Sequence, residues 1–260
     1  MTTTILRHEL IRTKRPLLVI LGIAVVLIAL ADLLGLFVGV IGLVFAIMLT
    51  FTVVPAVQLF FAIDFYRSSY GSGALLTHSL PVRGRKLFWT KMLFAFLVTV
   101  LVSILTLIVL LLQGQLVLSM GGGLAEAYRE LQLALRQLSA LWLFLLVSAA
   151  WMVVIPLASL FSSVVIGSGG WARRLSIGGP IIVFMGYYVI MQILGFVSFF
   201  IPPVVDIATG EVHGVSMFQS AMSSPDAPLL PLSIVFIHIL IIAGLLIWAS
   251  RDMDKKVELR

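Results

Sequence analysis

Residues 17–63 read LLVILGIAVVLIALADLLGLFVGVIGLVFAIMLTFTVVPAVQLFFAI, 47 residues carrying a single charge, Asp32. As one helix this run would be about 70 Å long, more than twice the roughly 30 Å hydrocarbon core of a bilayer. It therefore has to fold back on itself. Asp32, Gly35 and Gly39 mark the turn, which predicts span 1 near residues 17–33 and span 2 near 38–63.

Four further apolar runs follow: 92–112; 140–166, interrupted by Pro156; 177–201, with Pro180 tolerable in its first turn; and 229–249. The pattern is that of an all-α integral membrane protein with six transmembrane helices, a single transmembrane domain over residues 1–260. Composition agrees. The chain is 61% hydrophobic and 11% charged, less than half the charged fraction of about 25% found in soluble domains. With no cysteine, disulfides and thiolate metal sites are excluded.

Charge supplies the topology. Of the 17 Lys/Arg, all but Arg129 and Arg136 fall on one side of the six spans. Short loops rich in Lys/Arg stay cytoplasmic, so both termini are expected in the cytoplasm, in a multi-pass protein of the cell (plasma or inner) membrane. The net charge of +6 flanks apolar spans instead of forming a basic domain. It suits anionic lipid headgroups and not nucleic acid. Lys91, at the edge of span 3, is expected to snorkel to the headgroups. The start of the chain resembles a signal peptide, with Ala29-Leu30-Ala31 before Asp32. No polar mature region follows, so residues 1–31 are expected to be retained.

Two segments on the outer side are more than simple loops. Leu124, Tyr128, Leu131, Leu135 and Leu138 recur at spacings of four and three, which predicts an amphipathic helix over 124–138. Residues 202–230, rich in Pro and Gly, are expected to be irregular backbone that dips back toward the protein. Chemistry-bearing motifs are few. Gly71-Ser72-Gly73 and Gly167-Ser168-Gly169-Gly170 lack the Gly-Lys-Ser/Thr of a phosphate-binding loop, and no HExxH occurs. Mid-span polar candidates reduce to Gln192 and His238. The plain reading of each is an interhelical hydrogen-bonding residue. A role in a pathway requires the two to meet in the middle of the membrane.

The loop 64–91, DFYRSSYGSGALLTHSLPVRGRKLFWTK, is the longest cytoplasmic segment. Its leucines Leu75, Leu76 and Leu80 precede Pro81, which disfavours helix at Leu80. They either rest on lipid or face a soluble partner. Here a resemblance becomes specific. Leu76-Thr77-His78-Ser79-Leu80-Pro81-Val82, followed by Arg83, Arg85-Lys86 and Lys91, resembles the loop between the first two hairpins of ABC-2-type permeases. These are the membrane subunits of ATP-binding-cassette exporters. Glu9-Leu10-Ile11-Arg12 before span 1 resembles that family's interfacial lead-in helix, and six spans with short inner loops fit along the chain. One departure is Tyr70-Gly71-Ser72-Gly73, where relatives often carry an acid.

The resemblance implies an ABC-2-type (type V exporter-like) permease fold. Two permease subunits, identical or different, would pair around a pathway. Separate ATPase subunits would dock on Leu75, Leu76, Thr77, His78, Leu80, Pro81, Arg83, Arg85 and Lys86. ATP and Mg would belong to those partners, with no cofactor in this chain and no catalysis by it. The spans' Leu, Val, Ile, Phe and Met suggest an apolar or amphipathic substrate. Spans 1, 2 and 5 are the expected dimer contacts, and Gly35-x-x-x-Gly39 offers a close-packing face. The alternative is a non-transporting scaffold or regulatory subunit that docks a cytoplasmic partner. An intramembrane enzyme or an ion-coupled transporter would need polar groups gathered at one depth.

Overall fold

The computed structural model describes residues 2–71, 83–137, 141–169, 175–223 and 229–258. Among them, six helices are long and apolar enough to cross a membrane. The protein is thus an all-α, multi-pass membrane protein. In the first of these helices only 6% of the most apolar window is buried. That surface is apolar enough to be solvated by lipid.

The first two helices are α1 (Thr2–Val38) and α2 (Val40–Ser69). Of Asp32, Gly35 and Gly39, the three residues expected to mark the turn, it is Gly39 that makes it. This residue takes φ +80, a left-handed conformation that glycine adopts without steric cost. Its N–H donates to the Gly35 carbonyl at 2.8 Å, closing α1. Gly35 is used by the hairpin itself, since a methyl group at Gly42 would lie 2.6 Å from the Gly35 Cα. The two glycines let α1 and α2 begin in backbone contact, and Gly35 is not left as a face for a second copy. α1 also runs unbroken through Pro16, so the lead-in segment and span 1 form one helix instead of two pieces.

Helix α3 (Gly84–Met120) extends beyond the expected 92–112 at both ends. It turns at Gly121 and Gly122, both with positive φ, into α4 (Gly122–Gln137). On α4, Leu124, Tyr128 and Leu135 are at least partly buried, while Leu131 is 54% exposed. Gln132, not Leu131, continues the covered stripe. Leu138 lies outside the described residues. Tyr128 packs over Gly114 of α3 so closely that any Cβ at Gly114 would strike its ring.

The fourth span is built from α5 (Leu141–Ala149), a π-helical turn (Ala150–Val154) and α6 (Ile155–Gly167). Pro156 explains the interruption. It has no N–H to donate to the preceding turn, and its ring crowds the carbonyl four residues back. The helix widens there, and the Ile155 N–H donates to the Ala150 carbonyl, five residues back. Helix α7 (Gly178–Ser198) packs extensively against α6.

The described part of 202–230, residues 202–223 and 229–230, is more regular than the sequence suggested. Strands β1 (Val204–Asp206), β2 (Val212–His213) and β3 (Leu229–Pro231) form an antiparallel sheet of order β2-β1-β3. Val204 and Val205 are buried. The Asp206 carboxylate accepts the Ala208 N–H at 2.7 Å, shaping the β1–β2 turn. Short helix α8 (Met217–Ser223) is capped reciprocally. The Gln219 N–H donates to Ser216 Oγ and the Ser216 N–H to Gln219 Oε1, each at 3.3 Å. Span 6 therefore starts at Leu232, not 229, because 229–231 are paired with β1. It is α9 (Leu232–Glu258).

The chain divides into two compact units. Unit 1 comprises Met1–Asp64 and Lys86–Leu133, and unit 2 comprises Phe65–Arg85 and Ala134–Arg260. In unit 2 the α6–α7 contact runs through Gly167, where an added Cβ would collide with backbone atoms of Gly179 and Pro180. Gly167→Ala is expected to destabilise the protein by about 1–3 kcal/mol, since backbone does not yield cheaply. Gly186→Ala has nothing within 4 Å of the new carbon and should be neutral or slightly stabilising. Thermal denaturation of the two variants in detergent measures the difference.

Candidate functional site

Three polar constellations stand out inside otherwise apolar helices. The first, in unit 1, is a charge cluster. Arg12 Nη2 donates to Glu9 Oε2 at 2.6 Å and also to the Asp64 carboxylate. Lys91 Nζ lies 3.4 Å from Glu9 Oε1. Glu9 and Lys91 are each only 5% exposed. The four charges sum to zero, the arrangement that makes their burial tolerable. This corrects the expectation for Lys91, which turns inward to a carboxylate and does not snorkel outward. Glu9 and Arg12, three apart on α1, share a helix face. Nothing in their spacing pointed to Asp64 or Lys91.

The second constellation, also in unit 1, involves Asp32. Gln113 of α3 is buried, and its Nε2 donates to Asp32 Oδ1 and Thr50 Oγ1, both at 3.0 Å. Thr50 in turn donates to the Ala46 carbonyl at 2.9 Å. Asp32 is thus held within the hairpin by an amide 81 residues away in sequence, and it does not form the turn.

The third constellation brings Gln192 and His238 together. Both line a cavity of about 570 Å3 among α6, α7 and α9 in unit 2. Its walls include Trp151, Ile155, Phe184, Met191 and Phe196. The π-helical turn puts Trp151 against His238, with ring centroids 4.1 Å apart. His238 Nδ1 lies 2.8 Å from the Ile234 carbonyl. A carbonyl only accepts, so Nδ1 carries the proton, and in the neutral ring Nε2 is a bare acceptor. Tyr187, which the sequence reading did not single out, also lines the cavity. Its buried hydroxyl finds no partner among the described residues.

Of the docking residues expected in the loop, Leu75, Leu76, Thr77, His78, Leu80 and Pro81 lie outside the described residues. Arg83, Arg85 and Lys86 are exposed at the start of α3. The Arg85 backbone N–H donates to Asp254 Oδ1 of α9 at 2.7 Å. A carboxylate at a helix N-terminus satisfies an orphan donor and complements the macrodipole. Basic residues alone would have left that end unfavourable. The loop's other end is held by aromatics. Phe65 stacks on Phe161 at 4.7 Å, and the Tyr66 hydroxyl lies 3.2 Å from Ser176 Oγ.

The charge cluster carries a direct test. Arg12 bridges two carboxylates, so Arg12→Leu is expected to destabilise by about 1.5–3 kcal/mol, the range for hydrogen bonds to charged groups. Arg12→Leu combined with Asp64→Asn should cost less than the sum of the singles, because each removes the same interaction. Detergent melting of the full cycle measures the coupling.

No known protein family, curated protein or solved structure matches this chain.

Proposed function

We propose that this chain is the transmembrane permease subunit of an ATP-binding-cassette exporter, with an ABC-2-type fold and both termini in the cytoplasm. The observation that carries the reading is the loop 64–91. Its Leu-Thr-His-Ser-Leu-Pro stretch and basic tail resemble the ATPase-docking loop of that family. The Lys/Arg asymmetry supports a cytoplasmic position for it.

The tethering of the loop's described ends is consistent with a lever. Residues 65–85 cluster with unit 2, although the chain on either side of them belongs to unit 1. Asp64 joins the charge cluster, Phe65 stacks on α6, and Arg85 is tied to α9. In this reading ATP and Mg belong to the ATPase partners, hydrolysis is theirs, and a second permease subunit completes the pathway. An apolar or amphipathic substrate fits spans built from Leu, Val, Ile, Phe and Met.

The test is purification of the full chain from its host in mild detergent, with identification of stoichiometric partners. An ATP-binding-cassette ATPase should co-purify, and Leu76→Asp with Leu80→Asp should release it while the thermal midpoint of the permease stays unchanged. Retention of the ATPase by the double variant would mean that the leucines rest on lipid. ATPase turnover that moves no substrate in proteoliposomes would favour the scaffold reading.

A further inference from the structure

We propose that α8 docks on the membrane itself, lying flat on the leaflet at the C-terminal end of α7 with Phe218 and Met222 set into the boundary between headgroups and acyl chains. Depth carries the argument. Helix α7 has 21 residues, about 32 Å of helix, which matches a hydrocarbon core of roughly 30 Å. Its last turn therefore reaches the edge of that core. An aromatic ladder continues from there. Phe196, 67% exposed on α7, meets Phe200 at 5.5 Å between ring centroids, and Phe200 meets Phe218 of α8 at 5.3 Å. The Phe218 N–H also donates to the Phe199 carbonyl at 3.1 Å. The start of α8 is thus held at the level where α7 leaves the hydrocarbon, in line with the lipid-facing surface of a helix only 11% buried over its most apolar window.

The faces of α8 are sorted to match. Phe218 and Met222, four residues apart, share one face and are 51% and 78% exposed. Ser220, on the opposite face, is buried, as is Ser216 just before the helix. From Val212 to Ser223 there is no Asp, Glu, Lys or Arg. Ser216 and Gln219 cap each other and so spend their polar groups locally. Water would leave two large apolar side chains solvated, and a charged protein surface would find nothing to pair with. A leaflet boundary takes the apolar face and leaves the uncharged polar groups on its wet side. With seven residues, about 10 Å of helix, α8 is too short to enter as a span and long enough to rest on the surface.

This inference concerns unit 2 alone and does not rest on the permease reading. The chain has no cysteine of its own, so a single introduced cysteine can be labelled uniquely. Met222→Cys and, as the hydrated control, Glu211→Cys in the exposed β1–β2 turn are each made in the full chain. Each is labelled with an environment-sensitive fluorophore in phosphatidylcholine nanodiscs, where both leaflets are open to solutes. At position 222 the emission should shift to the blue and lose intensity with phosphatidylcholine bearing a nitroxide near the top of its acyl chain. It should lose less with the nitroxide at the chain end, and be protected from aqueous iodide. Position 211 should be quenched by iodide and not by the lipid nitroxides. Adding Phe218→Ser to Met222→Cys should remove the blue shift and most of the lipid quenching, while Phe218→Leu keeps both, with the thermal midpoint unchanged in each. Iodide quenching at 222 equal to that at 211 would overturn the proposal by placing α8 in water. Protection from iodide without lipid quenching would overturn it by showing the face covered by protein. Strongest quenching from the chain end would overturn the surface position.

Discussion

A bilayer core offers no water to a polar group, and most of this structure follows from that single constraint. Backbone amides are met by helices, the one open-ended structure that satisfies them internally. Side chains obey the same rule. Thr13, Thr50, Thr90, Thr99 and Ser103 each donate to the carbonyl four residues back in their own helix, which lets hydroxyls sit in apolar surroundings without a neighbour. His238 does the same through Nδ1. Groups that cannot be satisfied locally are paired across helices. Gln113 holds Asp32 and Thr50, and Glu9 is shared by Arg12 and Lys91. A few buried polar atoms, among them Gln113 Oε1, Ser162 Oγ, Ser168 Oγ and the Tyr187 hydroxyl, have no partner among the described residues.

Pro156 shows how one residue propagates from backbone to site. Its missing N–H is absorbed by a π-helical turn over Ala150–Val154. The extra residue in that turn rotates the preceding segment, which brings Trp151 against His238 and gives the cavity one of its walls. Such single-turn widenings recur at functional positions. Here the cavity beside it is lined by the polar side chains of Ser159, Tyr187, Tyr188, Gln192 and His238, with no Asp, Glu, Lys or Arg in its described lining. Glycine works in the opposite sense. At Gly42 and Gly167 the absence of a side chain brings helices into backbone contact and closes space.

The two units carry different chemistry. Unit 1 holds the buried charges and the Asp32 amide cluster, while unit 2 holds the uncharged cavity and the small sheet. The proposed docking loop belongs by its clustering to unit 2, but the chain enters it from Asp64, a member of the unit 1 charge cluster. For the proposed coupling function, that continuity of chain is the feature of interest.

Six apolar runs, their lengths, the hairpin within residues 17–63 and the break at Pro156 were legible in the sequence, because hydrophobic length and proline chemistry are properties of consecutive residues. Charge asymmetry was legible for the same reason. Helix limits were less so. α1 begins well before its apolar run and α3 extends beyond its own at both ends, since polar residues extend a helix as readily as apolar ones once its first turns are formed. The small sheet went unread because strands of two or three residues are defined by their partners, not by their own pattern. The polar clusters were also beyond reach. Asp32 with Gln113, or Glu9 with Lys91, are separated by some eighty residues, and only the packing of one helix against another decides which face each presents. Gln192 and His238 were visible as lone polar residues in apolar spans. That they line a single cavity with Tyr187 was decided by tertiary structure alone, through the packing of three helices separated in sequence.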